Sequence, residues 1–355
     1  PEEILLLVDQ PALGRVQAAG YDVDDIETLA RTGMLLARVR LPGRADLAEA
    51  RTELAAIAGE AAVDFNHLYT AEQSEVAAMP EAAGRPALLA SSLKLDLDIE
   101  TPADMRLGLI DSRIDLDHPC LEGADIRERD FVDFTAARPR EHGTAIAAIL
   151  LGQPGCAAAG LLPQASLYAA SVFLKTESGV ETATARSLIL ALDWLAREDV
   201  RSVNMSLTGP ANRLLERSIE AAVDSGRIII AAVGNAGPAS PPLYPAAYES
   251  VIGVTAVDRS FEVYRRALRG PQVRFSAPGV EIAVATPGGD IRLKSGTSMA
   301  TPFVTAVLAV TSARSPQASP AQLLSRLETA ARDLGAPGVD PVYGFGLIQM
   351  PPEQP

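Results

Sequence analysis

The sequence predicts an α/β protein, with a doubly wound, mostly parallel sheet preceded by a small α+β domain. Three observations predict it. The 355 residues are 48% hydrophobic but only 5% aromatic, the Ala/Val/Leu/Ile-rich profile of a buried parallel sheet. From about Pro102, unbroken apolar runs alternate with stretches of helical period, which implies parallel strands covered by helices. Residues 1–70 follow a different order of elements, and the length suffices for one large or two ordinary domains.

In that first unit, Glu3–Val8 (EILLLV) reads as a strand and Pro11–Ala19 as a short helix. A strand pair follows in Ile26–Leu29 and Met34–Leu41. Ala45–Gly59 has the apolar spacing of a helix, and Ala61–Tyr69 (AAVDFNHLY) alternates like a final strand. The order β-α-β-β-α-β is the ferredoxin-like arrangement. Ala71–Ala90 is rich in Ala, Glu, Pro and Gly without a period and reads as a linker. The expected division is therefore residues 1–70, a linker over 71–90, and a large domain over 91–355.

The large domain opens with the strand Met105–Ile110, which ends at Asp111. Helices are expected over Gly143–Leu151, Thr184–Arg197 and Arg213–Ser225, and strands over Ser166–Phe173, Val200–Met205, Arg227–Val233 and Val251–Val257. Ser295–Val310 (SGTSMATPFVTAVLAV) starts as a small-residue turn and continues as a buried helix, and Pro320–Arg332 is the last helix. Sites on such sheets form at the carboxyl ends of strands. Asp111, Asn204 and Asn235 all fall there.

The net charge of -14 argues against nucleic acid, which demands clustered Lys and Arg, and against an anionic membrane surface. No apolar run is long enough to span a bilayer. The sequence begins at Pro1 rather than Met. We therefore expect that a signal peptide or a tag has been removed and that the protein is secreted or periplasmic.

Ser298 stands at the start of the apolar helix, beside unpaired N–H groups and the positive end of the helix dipole. That position suits a nucleophile whose target becomes an oxyanion, and equally an ordinary N-cap. An imidazole base must come from His67, His118 or His142, the only three histidines. His142 lies at a helix start in EHGTAIAAILLG, whereas His118 lies in a turn (DHPC) and His67 in the small domain. An orienting carboxylate is needed to hold the imidazole tautomer. Asp111 ends an apolar strand, where a buried charge must be paired, while Asp115 and Asp117 read as solvated. Asn235, in GNAG, can offer an amide to an oxyanion or simply form a turn.

The segments DSRID, HGT, NMSL, AAVGNAG and SGTSMATP, in this order, resemble the subtilisin-like serine peptidases over roughly residues 102–350. The resemblance implies Ser298 as nucleophile, His142 as general base and acid, and Asp111 as orienter. Asn235 and the Ser298 backbone N–H would receive the oxyanion, and protein or peptide would be the substrate. The order Asp, His, Ser excludes an α/β-hydrolase, which also needs Gly-x-Ser-x-Gly, and DSRID is no dinucleotide-binding loop. HGT opposes a sedolisin-type glutamate. An inactive relative acting as a binding module is opposed by the joint presence of Asp111, His142, Asn235 and Ser298. Residues 1–70 resemble the propeptides of the same family, which assist folding and plug the cleft, so the chain's own amino-terminal domain is an expected intramolecular inhibitor.

By the same resemblance Ser206, Leu207, Thr208 and Gly209 line the substrate cleft, together with Ala232, Val233, Gly234 and Leu243. Thr208 and Leu243 imply a shallow, uncharged pocket for small apolar residues. Arg113, where the family usually has glycine, has no evident role in the sequence. No cofactor or catalytic metal is expected. The family's calcium site, between the loop after the aspartate and the loop after the histidine helix, has Cys120 and GQPGCAAAG in place of acidic ligands. A Cys120–Cys156 disulfide is the expected replacement, two buried free thiols the alternative.

Overall fold

The structure, a computed structural model, describes residues 3–41, 46–71, 75–78, 104–132 and 137–352. The amino-terminal unit runs β1 (Ile4–Val8), α1 (Gln10–Ala18), β2 (Asp22–Thr28), β3 (Leu35–Arg40), α2 (Leu47–Ala58) and β4 (Val63–Phe65). Its strands form one antiparallel sheet in the order β2-β3-β1-β4. Asp9 caps α1 through the Ala12 N–H at 2.8 Å, and Asp46 caps α2 through the N–H groups of Ala48 and Glu49.

The unbroken apolar run of β1 has a tertiary cause. Ile4, Leu6 and Val8 pack with Leu13, Val16 and Leu54 of the unit's own helices. Leu5 and Leu7, on the opposite face, join Leu188, Ile189, Leu214 and Ile219 of the large domain. Both faces of the strand are therefore dry, and a period of two is absent.

The expected last strand, Ala61–Tyr69, is divided in the structure. After β4, Asn66 and His67 leave the sheet: the Asn66 side chain donates to Glu3 at 2.8 Å and accepts the Arg186 N–H at 3.0 Å. Then β5 (Leu68–Ala71) and β6 (Glu75–Ala78) lie within sheets of the large domain. The stretch read as an aperiodic linker thus contains ordered strand pairing at its start. Its remainder, apart from β6, lies outside the described residues. Ladder partners supplied by another part of the chain leave no periodic trace in the sequence.

The large domain continues with β7 (Arg106–Asp111), β8 (Asp125–Asp130), α3 (Glu141–Leu151), β9 (Ser166–Ser171), β10 (Leu174–Lys175) and β11 (Glu181–Thr184). Then come α4 (Ala185–Arg197), β12 (Ser202–Met205), β13 (Leu207–Thr208), α5 (Arg213–Asp224), β14 (Ile228–Ala232) and β15 (Ile252–Val257). The chain closes with β16 (Val273–Pro278), β17 (Ile282–Thr286), β18 (Asp290–Ser295), α6 (Thr297–Arg314) and α7 (Pro320–Ala330). Seven strands form the main sheet in the order β16-β15-β14-β12-β7-β9-β8, and every neighbouring pair is parallel. One face is covered by α3, α6 and α7, the other by α4 and α5.

Several strands of this domain were not expected from the sequence, among them β8, β17 and β18. In β8 (DIRERD) exposed and half-buried positions alternate at the sheet edge, so no apolar run announces it. The β17–β18 hairpin is joined by Gly288 and Gly289, both at positive φ, and it leans over the loop that follows Asp111. There the Gly288 N–H donates to Asp115 at 3.0 Å. Asp115, read as solvated, is buried beneath this turn; Asp117 is exposed. No helix among the described residues is long and apolar enough to cross a membrane.

Candidate active site

Asp111 is the last residue of β7 and His142 the second residue of α3. The His142 Nδ1–H faces both Asp111 oxygens at 2.9 Å, and both residues are buried. Asp111 Oδ1 also accepts the Ser112 N–H at 2.6 Å. With Nδ1 donating, Nε2 carries the lone pair, and this atom is buried without a hydrogen-bond partner.

The residues around His142 hold its helix against β7. Gly143 donates its N–H to Ser112 Oγ at 2.8 Å, and a Cβ there would lie 2.2 Å from the Ser112 carbonyl oxygen. No other residue permits that approach. Thr144 Oγ1 donates to the Arg140 carbonyl and accepts the Asp115 N–H at 2.8 Å. Arg113, unexplained in the sequence, makes a two-point contact with Asp130 at 3.1 and 2.9 Å. Arg138 joins the same carboxylate, so the Asp111 loop and the approach to His142 are tied to one edge strand.

Ser298 is the second residue of α6 and fully buried. Pro302, four residues on, has no N–H to give the Ser298 carbonyl. The vacancy in the ladder is filled from outside, because Ser206 Oγ donates to that carbonyl at 3.2 Å. Asn204 Nδ2 donates to Ser206 Oγ at 2.9 Å, while Thr305 Oγ1 lies 3.1 Å from Asn204 Oδ1. Asn204, Ser206 and Thr305 therefore clamp the start of α6 to β12.

The Asn235 side chain is oriented by the same helix. Its Oδ1 accepts the Thr297 N–H at 3.0 Å and the Thr297 hydroxyl at 3.2 Å. A backbone N–H can only donate, so the oxygen must face Thr297 and the NH₂ group points the other way. Thr297 Oγ1 in turn accepts the Gly234 N–H at 3.2 Å, and Gly234 turns at φ 110°.

A pattern describing the subtilase family of peptidases matches residues 103–346, more than half of the chain. The chain belongs to the subtilase family. The minor extracellular protease Epr of Bacillus subtilis is 34% identical over 210 residues, which are 59% of this chain and 32% of that protein. Subtilisin E of the same organism is 33% identical over 261 residues, 70% of this chain and 65% of the relative. This chain thus matches less than two thirds of the length of either. Fervidolysin from Fervidobacterium pennivorans, a keratinolytic enzyme related to subtilisin, has the same fold at a TM-score of 0.81 and 21% identity. That likeness covers 98% of this chain and 60% of fervidolysin.

In this subtilase the cleft beside His142 contains the chain's own amino-terminal segment. β5 pairs antiparallel with β11 on one side (Tyr69 opposite Ala183) and with β13 on the other (Thr70 opposite Thr208). Tyr69 is fully buried, with its ring on Gly209, where a Cβ would lie 2.4 Å from Cδ1, and its hydroxyl on the Pro210 carbonyl at 3.0 Å. β6 pairs antiparallel with β18, Glu75 opposite Ser295, three residues before Ser298. A cavity of about 750 Å³ remains, lined by His142, Asn235, Ala71, Thr208 and Leu243.

Of the pocket residues expected from the sequence, Thr208 and Leu243 reach this cavity. Ser206 holds the Ser298 carbonyl, Leu207 pairs opposite Ala71, and Gly209 carries the Tyr69 ring. Ala232 and Val233 are fully buried in and after β14, and Gly234 serves the turn before Asn235. Glu141, Glu181, Arg266 and Lys294 also line the cavity. Lys294, itself buried, pairs with Glu141 at 2.8 Å. Burial holds the Glu181 carboxyl above its ordinary range, and the negative charges of Glu141 and Asp111 add to the effect. Glu141 and Lys294 are sequence neighbours of His142 and Ser295, a signal that was available. Glu181 and Arg266 lie far from any motif.

The other two histidines have separate partners. His118 Nδ1 accepts the Cys120 N–H at 3.1 Å, so its Nε2–H donates to the Asp290 carbonyl at 3.1 Å. His67 Nδ1 accepts from Asn212 at 3.0 Å, across the contact between the two domains. Cys120 and Cys156 form a disulfide with Cα atoms 5.3 Å apart, 36 residues apart in sequence. No group of three His, Cys, Asp or Glu side chains able to hold a metal occurs among the described residues.

Proposed function

We propose that this subtilase is a serine endopeptidase made as a self-inhibited precursor and exported from the cell, as the extracellular relative suggests. Ser298 Oγ attacks the scissile carbonyl carbon while His142 Nε2 takes its proton, and the imidazolium that forms is stabilised by Asp111. The carbonyl oxygen becomes an oxyanion that receives hydrogen bonds from Asn235 Nδ2 and the Ser298 backbone N–H. Collapse of this intermediate breaks the peptide bond, and His142 returns the proton to the leaving amine. A water molecule then attacks the acyl-enzyme, giving its proton to His142, and releases the carboxylic acid with Ser298 restored.

The observation that carries this reading is the two-oxygen grip of Asp111 on His142 Nδ1, which leaves Nε2 buried without a hydrogen-bond partner. That is the arrangement a general base requires. Residues 1–70 act as the inhibitor, and a processing site falls in the 71–90 stretch. What supports this is the position of β5 and β6, which fill substrate-binding ladders on the two sides of Ser298. Extended chain in such a groove is bound as a substrate strand is bound, through its backbone.

The Cys120–Cys156 bridge does the work that relatives give to calcium. It links the turn after the Asp111 loop to the loop that follows α3, where Cys156 stands among Gly and Ala without carboxylates.

Incubation of wild type and Ser298→Ala followed by intact mass measurement tests the reading. We expect only wild type to shorten, with the cut between Ala71 and Glu75. A fluorophosphonate probe should then label wild type alone. Equal absence of labelling in both proteins, after cleavage of the linker, would make the chain a peptide-binding module instead.

A further inference from the structure

We propose that Arg265 and Arg266 form a subsite for an acidic side chain on the leaving-group side of the scissile bond. The inference rests on the peptidase reading above and adds a substrate preference to it. Its starting point is the strand that already lies there. β6 runs antiparallel to β18, and Glu75 faces Ser295, from which the chain continues through Gly296 and Thr297 into Ser298. The segment enters the cleft through β5, so Glu75 lies on the carboxyl-terminal side of the nucleophile.

At this position the Glu75 carboxylate meets Arg265 Nη2 directly, with Arg266 Nη1 3.9 Å away. Arg266 also lines the cavity that holds His142 and Asn235. Its place there is built into the backbone. The Arg266 carbonyl accepts the Gly237 N–H at 2.9 Å, and the Leu268 N–H donates to the Gly234 carbonyl at 2.9 Å. The arginine pair is thereby laced to the same GNAG loop that carries Asn235. Lys294, the other cation nearby, is engaged by Glu141 at 2.8 Å, so Glu75 is met by the arginines.

A substrate strand entering the vacated groove inherits the same register, because the β18 ladder is made of backbone groups that any sequence can satisfy. Its residue at the Glu75 position then faces two guanidinium groups. A carboxylate side chain gains an ion pair there, and an arginine or lysine meets like charge. The subsite is open to solvent, with Glu75 36%, Arg266 42% and Arg265 77% exposed, so the gain is that of a screened pair: at most about fivefold.

The test uses wild-type protein incubated until its mass no longer changes, and two internally quenched peptides. The peptides differ only by Glu or Gln at the position two or three residues beyond the cut, which mass spectrometry locates. Both are amidated at the carboxyl terminus, so that only the side-chain carboxylate is read. We expect kcat/KM to favour the Glu peptide by up to about fivefold at low ionic strength, and the preference to shrink in high salt. In the double variant Arg265→Gln/Arg266→Gln the ratio of the two rates should fall to about one, whichever way the absolute rate on the Gln peptide moves. The rate on the Gln peptide also reports that the variant is folded. Equal rates on both peptides in wild type, or a preference that survives in the double variant, overturns the subsite. Failure to cut either peptide overturns the peptidase reading and the subsite with it.

Discussion

At the scale of single residues, the site is a set of short local rules whose reasons are visible only in space. Gly143 is required because α3 starts against the Ser112 carbonyl, where a Cβ would stand 2.2 Å away. Gly143→Ala should therefore displace His142 rather than unfold the protein, costing on the order of 10²-fold in kcat, read by peptide hydrolysis with circular dichroism as the control. Asp111→Asn retains the shape but disfavours the required tautomer, and we expect a loss of roughly 10⁴-fold. Asn235→Ala would remove one donor of the proposed oxyanion site, with an expected loss of roughly 10²–10³ in kcat at nearly constant KM. The candidates Asp111, His142, Asn235 and Ser298 could be singled out in the sequence because each is bound to a motif of fixed local geometry. Arg266 and Glu181 were not, since charged residues in loops look alike until the fold brings them to a cavity.

At the scale of elements, the contact between the two domains is made by helix ends as much as by apolar faces. Asp64 accepts the Arg213 N–H at 2.7 Å and Asn66 the Arg186 N–H at 3.0 Å, so the amino-terminal unit supplies polar partners to the first turns of α5 and α4. His67 adds a pH dependence to this contact. Burial holds its imidazole below the ordinary range, against the opposing charge of Asp64. A histidine kept neutral in the folded state contributes stability above its unfolded pKa, near 6.5, and that contribution is lost as pH falls below it. Melting of Ser298→Ala between pH 7.5 and 5 should show docking weakened by acid, and His67→Gln should flatten the dependence. Elements with their own period, such as α4 and β14, were readable within a residue or two. The strands β5, β6 and β8 were missed because their stability comes from ladder partners and not from apolar periodicity.

Across the whole molecule, the disulfide and the docked amino-terminal unit are the two long-range constraints. Closing a loop of 36 residues contributes about 3–4 kcal/mol in the chain-entropy model. Cys120→Ser/Cys156→Ser should lose that much in denaturant unfolding, and thiol titration of the denatured, unreduced wild type should find no free thiol. The amino-terminal unit buries one face of β1 in the large domain, so removing it exposes Leu188, Ile189 and Ile219. After self-cleavage the fragments should therefore remain associated until the amino-terminal unit is degraded, which gel filtration of the incubated wild type checks.

By itself the sequence determined the helices and the central apolar strands, the subtilase motifs and the narrow choice of base, because these depend on neighbours within a few residues. Only the tertiary structure decided what fills the cleft, why Pro302 is tolerated four residues beyond Ser298, and which charges surround His142. Those answers depend on groups far apart in the chain: Ser206 on the Ser298 carbonyl, Tyr69 on Gly209, Glu75 on Arg265. Backbone hydrogen bonds and ion pairs of this kind accept many sequences, and so they are written in the fold and not in the pattern.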